Sequence, residues 1–303
     1  MTLFAPVFAF LVSCVLTLGL ARLARGAFLD RPTEHDRERK PQARGVPLVG
    51  GTAIFLTLVG AGALGWLEFR FEFVPCAIAL AAVFVVGLVD DLLPGGLKPD
   101  AKVGLQVVAL VPLLFTESVS GAGNWWTGGG ELLVASVLAM NVANTWDHHD
   151  GALGTLAAFG FANAWSAPFA CAIAGFLPWN LDAKFWEGPG ATPTAYLGDG
   201  GSHLLGLAAI LVPGAGWWLA LPALDLARLS IVRFASGSRP WIGDRRHLSH
   251  LLARRIEDRR LVALVTTGIA APSILLPALG GAGWVGVVLT GLALGWAVVW
   301  SGK

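Results

Sequence analysis

Charge is scarce in this chain: 14% of its 303 residues are charged, where soluble domains carry about 25%. A basic excess is missing as well. The 21 Lys and Arg face 20 Asp and Glu, for a net charge of +1, whereas a nucleic-acid binder carries a basic patch or stripe. Cysteine is nearly absent. Cys14, Cys76 and Cys171 each lie inside an apolar run, which excludes a disulfide scaffold. Low hydrophobicity, the mark of disorder, is absent too, because 55% of the residues are hydrophobic. What is present is a mean hydropathy of +0.67, spread over repeated long apolar stretches. That pattern predicts a polytopic, all-α membrane protein.

The charges are gathered. Segments 22–44, 90–102, 147–150, 182–199 and 225–260 hold 35 of the 41 charged residues and 19 of the 21 basic ones. The connections at 68–72, 117–131 and 279–283 carry a single basic residue, Arg70. The positive-inside rule then places all five charged segments on the cytoplasmic side. Spans are expected at 3–21, 48–67, 73–89, 103–115, 132–144, 261–276 and 284–300. The first has no basic residue before it and Arg22 and Arg25 after it. A secretory signal has the reverse polarity, so a retained span with its N-terminus outside is expected. Segments 152–180 and 199–225 each begin and end on the same face. Each is expected to fold as an unusually short hairpin, with turns near 166–168 and 213–216, sheltered from lipid by its neighbours. The total is about 10–11 transmembrane helices in one domain, 1–303, with no internal repeat and no linker.

Ionisable residues at membrane depth are functional candidates by default. Four clusters qualify. Asp90 and Asp91 end an apolar run, with Lys98, Lys102 and Gln106 downstream. Adjacent carboxylates repel and invite a divalent cation or a lysine; a solvated helix end is the plain alternative. Asn141, Asn144, Asp147 and Asp150 follow at intervals of three, along one helix stripe. With His148 and His149 between the acids, a metal site or the lining of a polar pocket both fit. The small-residue run 196–202 surrounds Asp199 at the start of an apolar helix. It reads as an anion-binding turn, where the acid requires an intervening metal, or as a capped glycine turn. Arg233, Arg239, Asp244, Arg245, Arg246, His247 and His250 mix phosphate ligands with imidazoles. Ordinary positive-inside charge explains the arginines but not the histidines. The arginines of 251–260 read as a solvated or headgroup-facing side. Acids at span ends suit phosphoryl chemistry on an anionic substrate better than a proton-coupled transporter, whose acids lie near the midplane.

The order of motifs resembles the polyprenyl-phosphate N-acetylhexosamine-1-phosphate transferases, from about Asp30 to His250. The first loop matches at Asp30, Pro32, Arg39, Lys40, Pro47, Gly50 and Gly51, and the acid pair at Asp90, Asp91, Lys102 and Gln106. An Asn-x-x-Asp-Gly-x-Asp-Gly pattern is similar to Asn144, Asp147, Asp150 and Gly151. Gly175, Phe176, Leu177 and Asn180 lead to Tyr196–Ser202, and a His-x-His-His loop is similar to 247–250. Five motifs in order are specific where one is not. The Gly-Asp-x-Gly-Ser run and the last loop are closer to the UDP-N-acetylglucosamine branch than to the branch acting on UDP-muramoyl-pentapeptide.

The resemblance implies a reaction and a site. A UDP-sugar and a polyprenyl (undecaprenyl) phosphate would react with Mg²⁺, or Mn²⁺ in its place, to release UMP in a first membrane step of envelope glycan synthesis. The enzyme would lie in the bacterial inner membrane, with catalytic loops at 22–47, 90–102, 147–151, 180–202 and 233–260 on the cytoplasmic face. Asp199 would hold the metal. Asp90, Asp91, Asp150 and Lys102 would be catalytic. Lys40, Asn144, Asp147, Asn180, Arg239, His247 and His250 would bind substrate. The partners implied are the two substrates and the bilayer, with a homodimer compatible and no nucleic acid.

The chain also departs from the pattern. Serine stands at 249 where the motif has histidine, His148 stands where it has glycine, and about eleven residues are inserted between Asn180 and Tyr196. The retained acids favour activity, and the altered positions fall on the sugar and nucleotide side. A transporter or a non-catalytic relative are the rival expectations. An intramembrane aspartyl protease needs Gly-x-Gly-Asp, and Tyr196 breaks it. A CDP-alcohol phosphotransferase needs Asp-Gly-x-x-Ala-Arg, and 150–155 does not supply it.

Overall fold

A computed structural model of the chain describes residues 3–24, 29–30, 45–116, 119, 125–164, 166–181, 193–237 and 246–302. Among the described residues the architecture is all α. Twelve helices run in the order α1 Phe4–Leu23, α2 Gly50–Ala63, α3 Phe73–Leu92, α4 Pro99–Ala109, α5 Trp125–Trp146 and α6 Ala152–Asn163. Then come α7 Ala167–Leu181, α8 Gly198–Leu211, α9 Ala220–Ala235, α10 Leu248–Leu252, α11 Arg259–Ala278 and α12 Gly283–Gly302. Helices are what apolar runs in lipid must form, because each backbone donor and acceptor has to be paired within its own segment. The expected polytopic all-α class is therefore observed.

α8 is the hub. Twelve of its fourteen residues are buried, and it packs against α2, α3 and α5. Lipid gives helices no hydrophobic reason to associate, so close approach through small residues does the work. A Cβ on Gly51 would lie 2.4 Å from the Gly201 amide nitrogen, one on Gly87 2.4 Å from the Asp199 carbonyl oxygen, and one on Gly206 2.6 Å from Met140 Cα. No larger residue fits at these crossings. The chain entering α2 is also tied to the chain entering α8. A parallel bridge pairs Leu48 with Tyr196, and the amides of Gly50 and Gly51 donate to the carbonyls of Tyr196 and Leu197 at 2.9 and 2.8 Å. Two-residue strands β1 (Leu29–Asp30) and β2 (Val46–Pro47) pair antiparallel beside this junction.

Among the described residues, five stretches are long and apolar enough to span a membrane: Phe4–Leu23, Phe73–Leu92, Ala215–Ala235, Arg259–Ala278 and Gly283–Gly302. The first expected short hairpin is present. α6 and α7 have 12 and 15 residues, or about 18 and 22 Å at a rise of 1.5 Å per residue, and they pack against each other. The second hairpin is short only in its first arm, α8. Its second arm, a 3-10 turn at Ala215–Leu219 continued by α9, makes a 21-residue span. The expectation ended that arm at Asp225, taken as the start of a solvated segment. Asp225 is instead fully buried in α9 and paired there, so the helix passes through it. The expected fourth span is split as well. α4 starts at Pro99, and after Leu110 the chain tightens into a 3-10 turn, Val111–Phe115, with Pro112 at its first turn.

Candidate active site

Four helix ends meet at one end of the bundle. The last turn of α3 brings Asp90 and Asp91, the start of α4 brings Lys102, the C-terminal half of α5 brings Asn144, and the start of α8 brings Asp199. Lys102 Nζ donates to Asp90 Oδ2 at 3.0 Å and also to Asp199 Oδ2. Asn144 Nδ2 donates to the same Asp199 oxygen at 2.9 Å. The Leu97 amide donates to Asp90 Oδ1, folding the connection between α3 and α4 back onto the acid.

Asp91 has a different task from its neighbour. Its two oxygens accept the amides of Asp199 and Gly200, at 2.9 and 3.1 Å. These are among the donors that a helix start leaves unpaired. A carboxylate from α3 therefore caps α8 and complements its positive end. Gly198 has φ +77°, and a Cβ there would sit 2.6 Å from Asp91 Oδ2. Both reasons require glycine just before Asp199.

Behind the acids lies a neutral polar relay. Asn141 Nδ2 donates to Gln106 Oε1 at 2.8 Å, and Gln106 Nε2 donates to His203 Nε2 at 3.2 Å. An imidazole nitrogen that accepts leaves the proton on Nδ1. His203 is fully buried and was not singled out from the sequence. The available signal was its position four residues after Asp199, on the same helix face.

The turn 147–151 links this centre to the histidines. Asp147 is pushed well above the usual carboxylate range, first by burial and then by Asp199, Asp91 and Asp150. Asp150 pairs with Arg259 Nη1; burial raises it to about 6 against the pull of that guanidinium. Arg259 is therefore not on the solvated side expected for 251–260. Asn180 Oδ1 accepts the Gly151 amide at 2.7 Å and its Nδ2 donates to the Ala195 carbonyl at 3.1 Å. Both ends of its carboxamide are used to staple the turn to the entry of α8.

On the far side of the turn, His247 Nδ1 donates to Asp225 Oδ2 at 3.1 Å. That oxygen also accepts the Leu248 amide at 3.2 Å, and Arg228 donates twice to Oδ1, at 2.9 and 2.7 Å. The ring of His148 lies 4.2 Å from that of His247 and 4.8 Å from that of His250. Burial first, and the neighbouring imidazoles next, hold His148 well below its ordinary range, and burial lowers His149. Among the described residues no three His, Cys, Asp or Glu are grouped to hold a metal by themselves. The acids and histidines of 147–150 therefore do not make such a group. Lys40 and Arg239 lie outside the described residues. All the other expected site residues fall into these two linked groups or into the staple between them.

No family model matches the chain. Curated relatives do. One from Thermotoga maritima, named undecaprenyl-phosphate alpha-N-acetylglucosaminyl 1-phosphate transferase, is 30% identical over 262 residues, covering 81% of this chain and 80% of the relative. A protein of the same name from Escherichia coli K12 is 24% identical, covering 74% of this chain and 70% of its own. Another of that name, from Haemophilus influenzae, is 23% identical, covering 80% and 77%.

Proposed function

The chain belongs to the polyprenyl-phosphate N-acetylhexosamine-1-phosphate transferase family, and from that premise we propose that it transfers an N-acetylhexosamine-1-phosphate from a UDP-sugar to undecaprenyl phosphate. An oxygen of the lipid phosphate becomes bonded to the phosphorus that carries the sugar, and the bond from that phosphorus to UMP breaks. The observation that carries this reading is the convergence of Lys102, Asp90, Asn144 and Asp199 at one end of a multi-pass helical bundle.

The donor set suits a hard divalent cation. Lys102 bridges Asp90 and Asp199, Asp147 lies close enough to feel the Asp199 charge, and these carboxylates offer only oxygen. Mg²⁺ usually takes one or two protein carboxylates and fills its shell with water and phosphate. Asp199 would hold it, with Asp147 nearby and Mn²⁺ as a substitute. Bound there, the ion would supply neutralisation of the pyrophosphate charge. Lys102 keeps Asp90 and Asp199 at a fixed spacing and offers its charge to an incoming phosphate. Asp91 holds the first turn of α8, and with it the Asp199 backbone, in place. Asn144 orients the Asp199 carboxylate. The five charged segments that hold 19 of the 21 basic residues include those of Asp90, Asp199 and His247, which supports a cytoplasmic active site in the bacterial inner membrane.

The test is UMP release from a panel of UDP-sugars with undecaprenyl phosphate and Mg²⁺. UDP-N-acetylglucosamine is the expected donor. Asp199→Asn and Asp90→Asn are each expected to lower the rate about 100-fold or more. No UMP from any donor, or variants equal to wild type, overturns the proposal.

A further inference from the structure

Turn 147–151 and loop 246–252 are about a hundred residues apart in the chain, yet their side chains interleave. The His148 ring packs against His247 and His250, tilted 35° and 40° to them. Both nitrogens of His148 are engaged. Nδ1 lies 2.7 Å from the Thr145 carbonyl oxygen. A carbonyl only accepts, so Nδ1 carries the proton. Nε2 must then accept from the Ser249 hydroxyl, 2.6 Å away. Ser249 is fully buried. His148 therefore has no ring nitrogen left for a ligand, and what it does for substrate passes through its neighbours.

His247 is in the opposite condition. Its Nδ1 proton is committed to Asp225, which is fully buried and takes three further donors. Its Nε2 is the ring nitrogen not used in that pairing. His148 packs against that ring and against the half-buried ring of His250. The two positions at which this chain departs from the family motif, 148 and 249, are thus in direct contact. Ser249 is fully buried with its hydroxyl 2.6 Å from His148 Nε2, so a ring at 249 would have to displace the ring at 148.

We propose that His148 and Ser249 form an interlock that positions His247 and His250 for the pyrophosphate of the nucleotide sugar, so that the imidazole pair is aimed from turn 147–151. His148 is a positioning residue here, and the two departures are one compensated change. The proposal rests on the transferase reading above.

The test is a double-mutant cycle of His148→Gly, Ser249→His and the two combined, with Ser249→Ala as a variant that keeps the shape and removes the donor. The readouts are KM and kcat for UMP release, and the melting temperature of the full chain in detergent. Each cycle single is expected to raise KM for UDP-N-acetylglucosamine about tenfold with little change in kcat, and the double to return to within about threefold of wild type. Ser249→Ala should raise KM about threefold and lower the melting temperature, by less than either cycle single does. If Ser249→His folds only when His148→Gly accompanies it, that rescue also supports the interlock. A double whose KM is the product of the singles, about 100-fold up, overturns it. If wild type releases no UMP, the transferase reading fails separately. The melting temperatures then decide: a double nearer wild type than either single sustains the interlock, and an additive loss overturns it.

Discussion

The acid centre and the histidine cluster sit on either side of turn 147–151 and are built by opposite means. The acid centre is charged and is assembled at helix ends: Lys102 is held between Asp90 and Asp199, and Asp91 caps α8. The histidine cluster is buried further, and its imidazoles at 148 and 149 are driven to the neutral form. There the order comes from which ring nitrogen carries the proton, set by Thr145, Ser249 and Asp225. Charges at helix ends stay near water and can receive an anionic substrate and its counter-ion. Tautomers fixed by buried acceptors give direction without adding charge. In the function proposed above, the first region takes the reacting phosphates and the second recognises what they carry.

The largest expected effect breaks the symmetry between the two regions. Asp199→Asn keeps the size and the contact to Asn144 but removes the charge, and should cost about 100-fold or more in kcat. His250→Ala should act mainly on KM, by about tenfold. Equal losses in kcat would mean that the two regions share one task. Next, Asp91→Ala strips the cap from the first turn of α8 and should lower stability by about 1–2 kcal/mol, read as a lower melting temperature together with lower kcat. A loss of kcat with an unchanged melting temperature would place Asp91 in the chemistry instead. Asp225→Asn leaves Nδ1 of His247 facing a carboxamide that can donate as well as accept. A buried bond to a charged acceptor is worth about 1.5–3 kcal/mol, so kcat/KM should fall about tenfold or more.

The smallest effect concerns pH. His148 titrates below its ordinary value of 6.5 when folded. Its contribution to stability is therefore complete above pH 6.5 and is lost as pH falls below it, because the unfolded chain takes the proton first. Asp150, raised from 3.8 to about 6, works the other way. Its folded form binds the proton more readily, so stability rises as pH falls through 6 toward 4. Wild type alone sums the two. His148→Gln removes only the histidine part, so wild type should lose more melting temperature between pH 6.5 and 5 than the variant does. Parallel curves would contradict a neutral His148.

Much of the acid centre was legible in the chain. Asp90, Asp91, Lys102, Asn144 and Asp199 stand at the ends of apolar runs, where an ionisable group is costly and needs a purpose. The spacing of Asn141, Asn144, Asp147 and Asp150 pointed to one helix stripe, but α5 ends at Trp146, so only the two asparagines lie on it and the two acids belong to the turn that follows. Asp225 and Arg259 were misjudged because a count of charges along a chain treats each as solvated. Their partners, His247 and Asp150, are 22 and 109 residues away. His203 stayed hidden because one histidine in an apolar helix is unremarkable until Gln106, from another helix, is seen to face it.

The amino-acid order by itself determined that this is a membrane-spanning helical protein, at which ends of its apolar runs the acids stand, and which family its motifs follow. Those properties rest on local quantities: the length of an apolar run, the position of a charge, the spacing of a motif. Only the folded chain decided that Asp91 caps a helix, that α9 passes through Asp225, and that His148 and Ser249 answer each other. Each of those depends on a hydrogen bond between distant segments. A donor cannot be matched to its acceptor until packing has brought the two within about 3 Å.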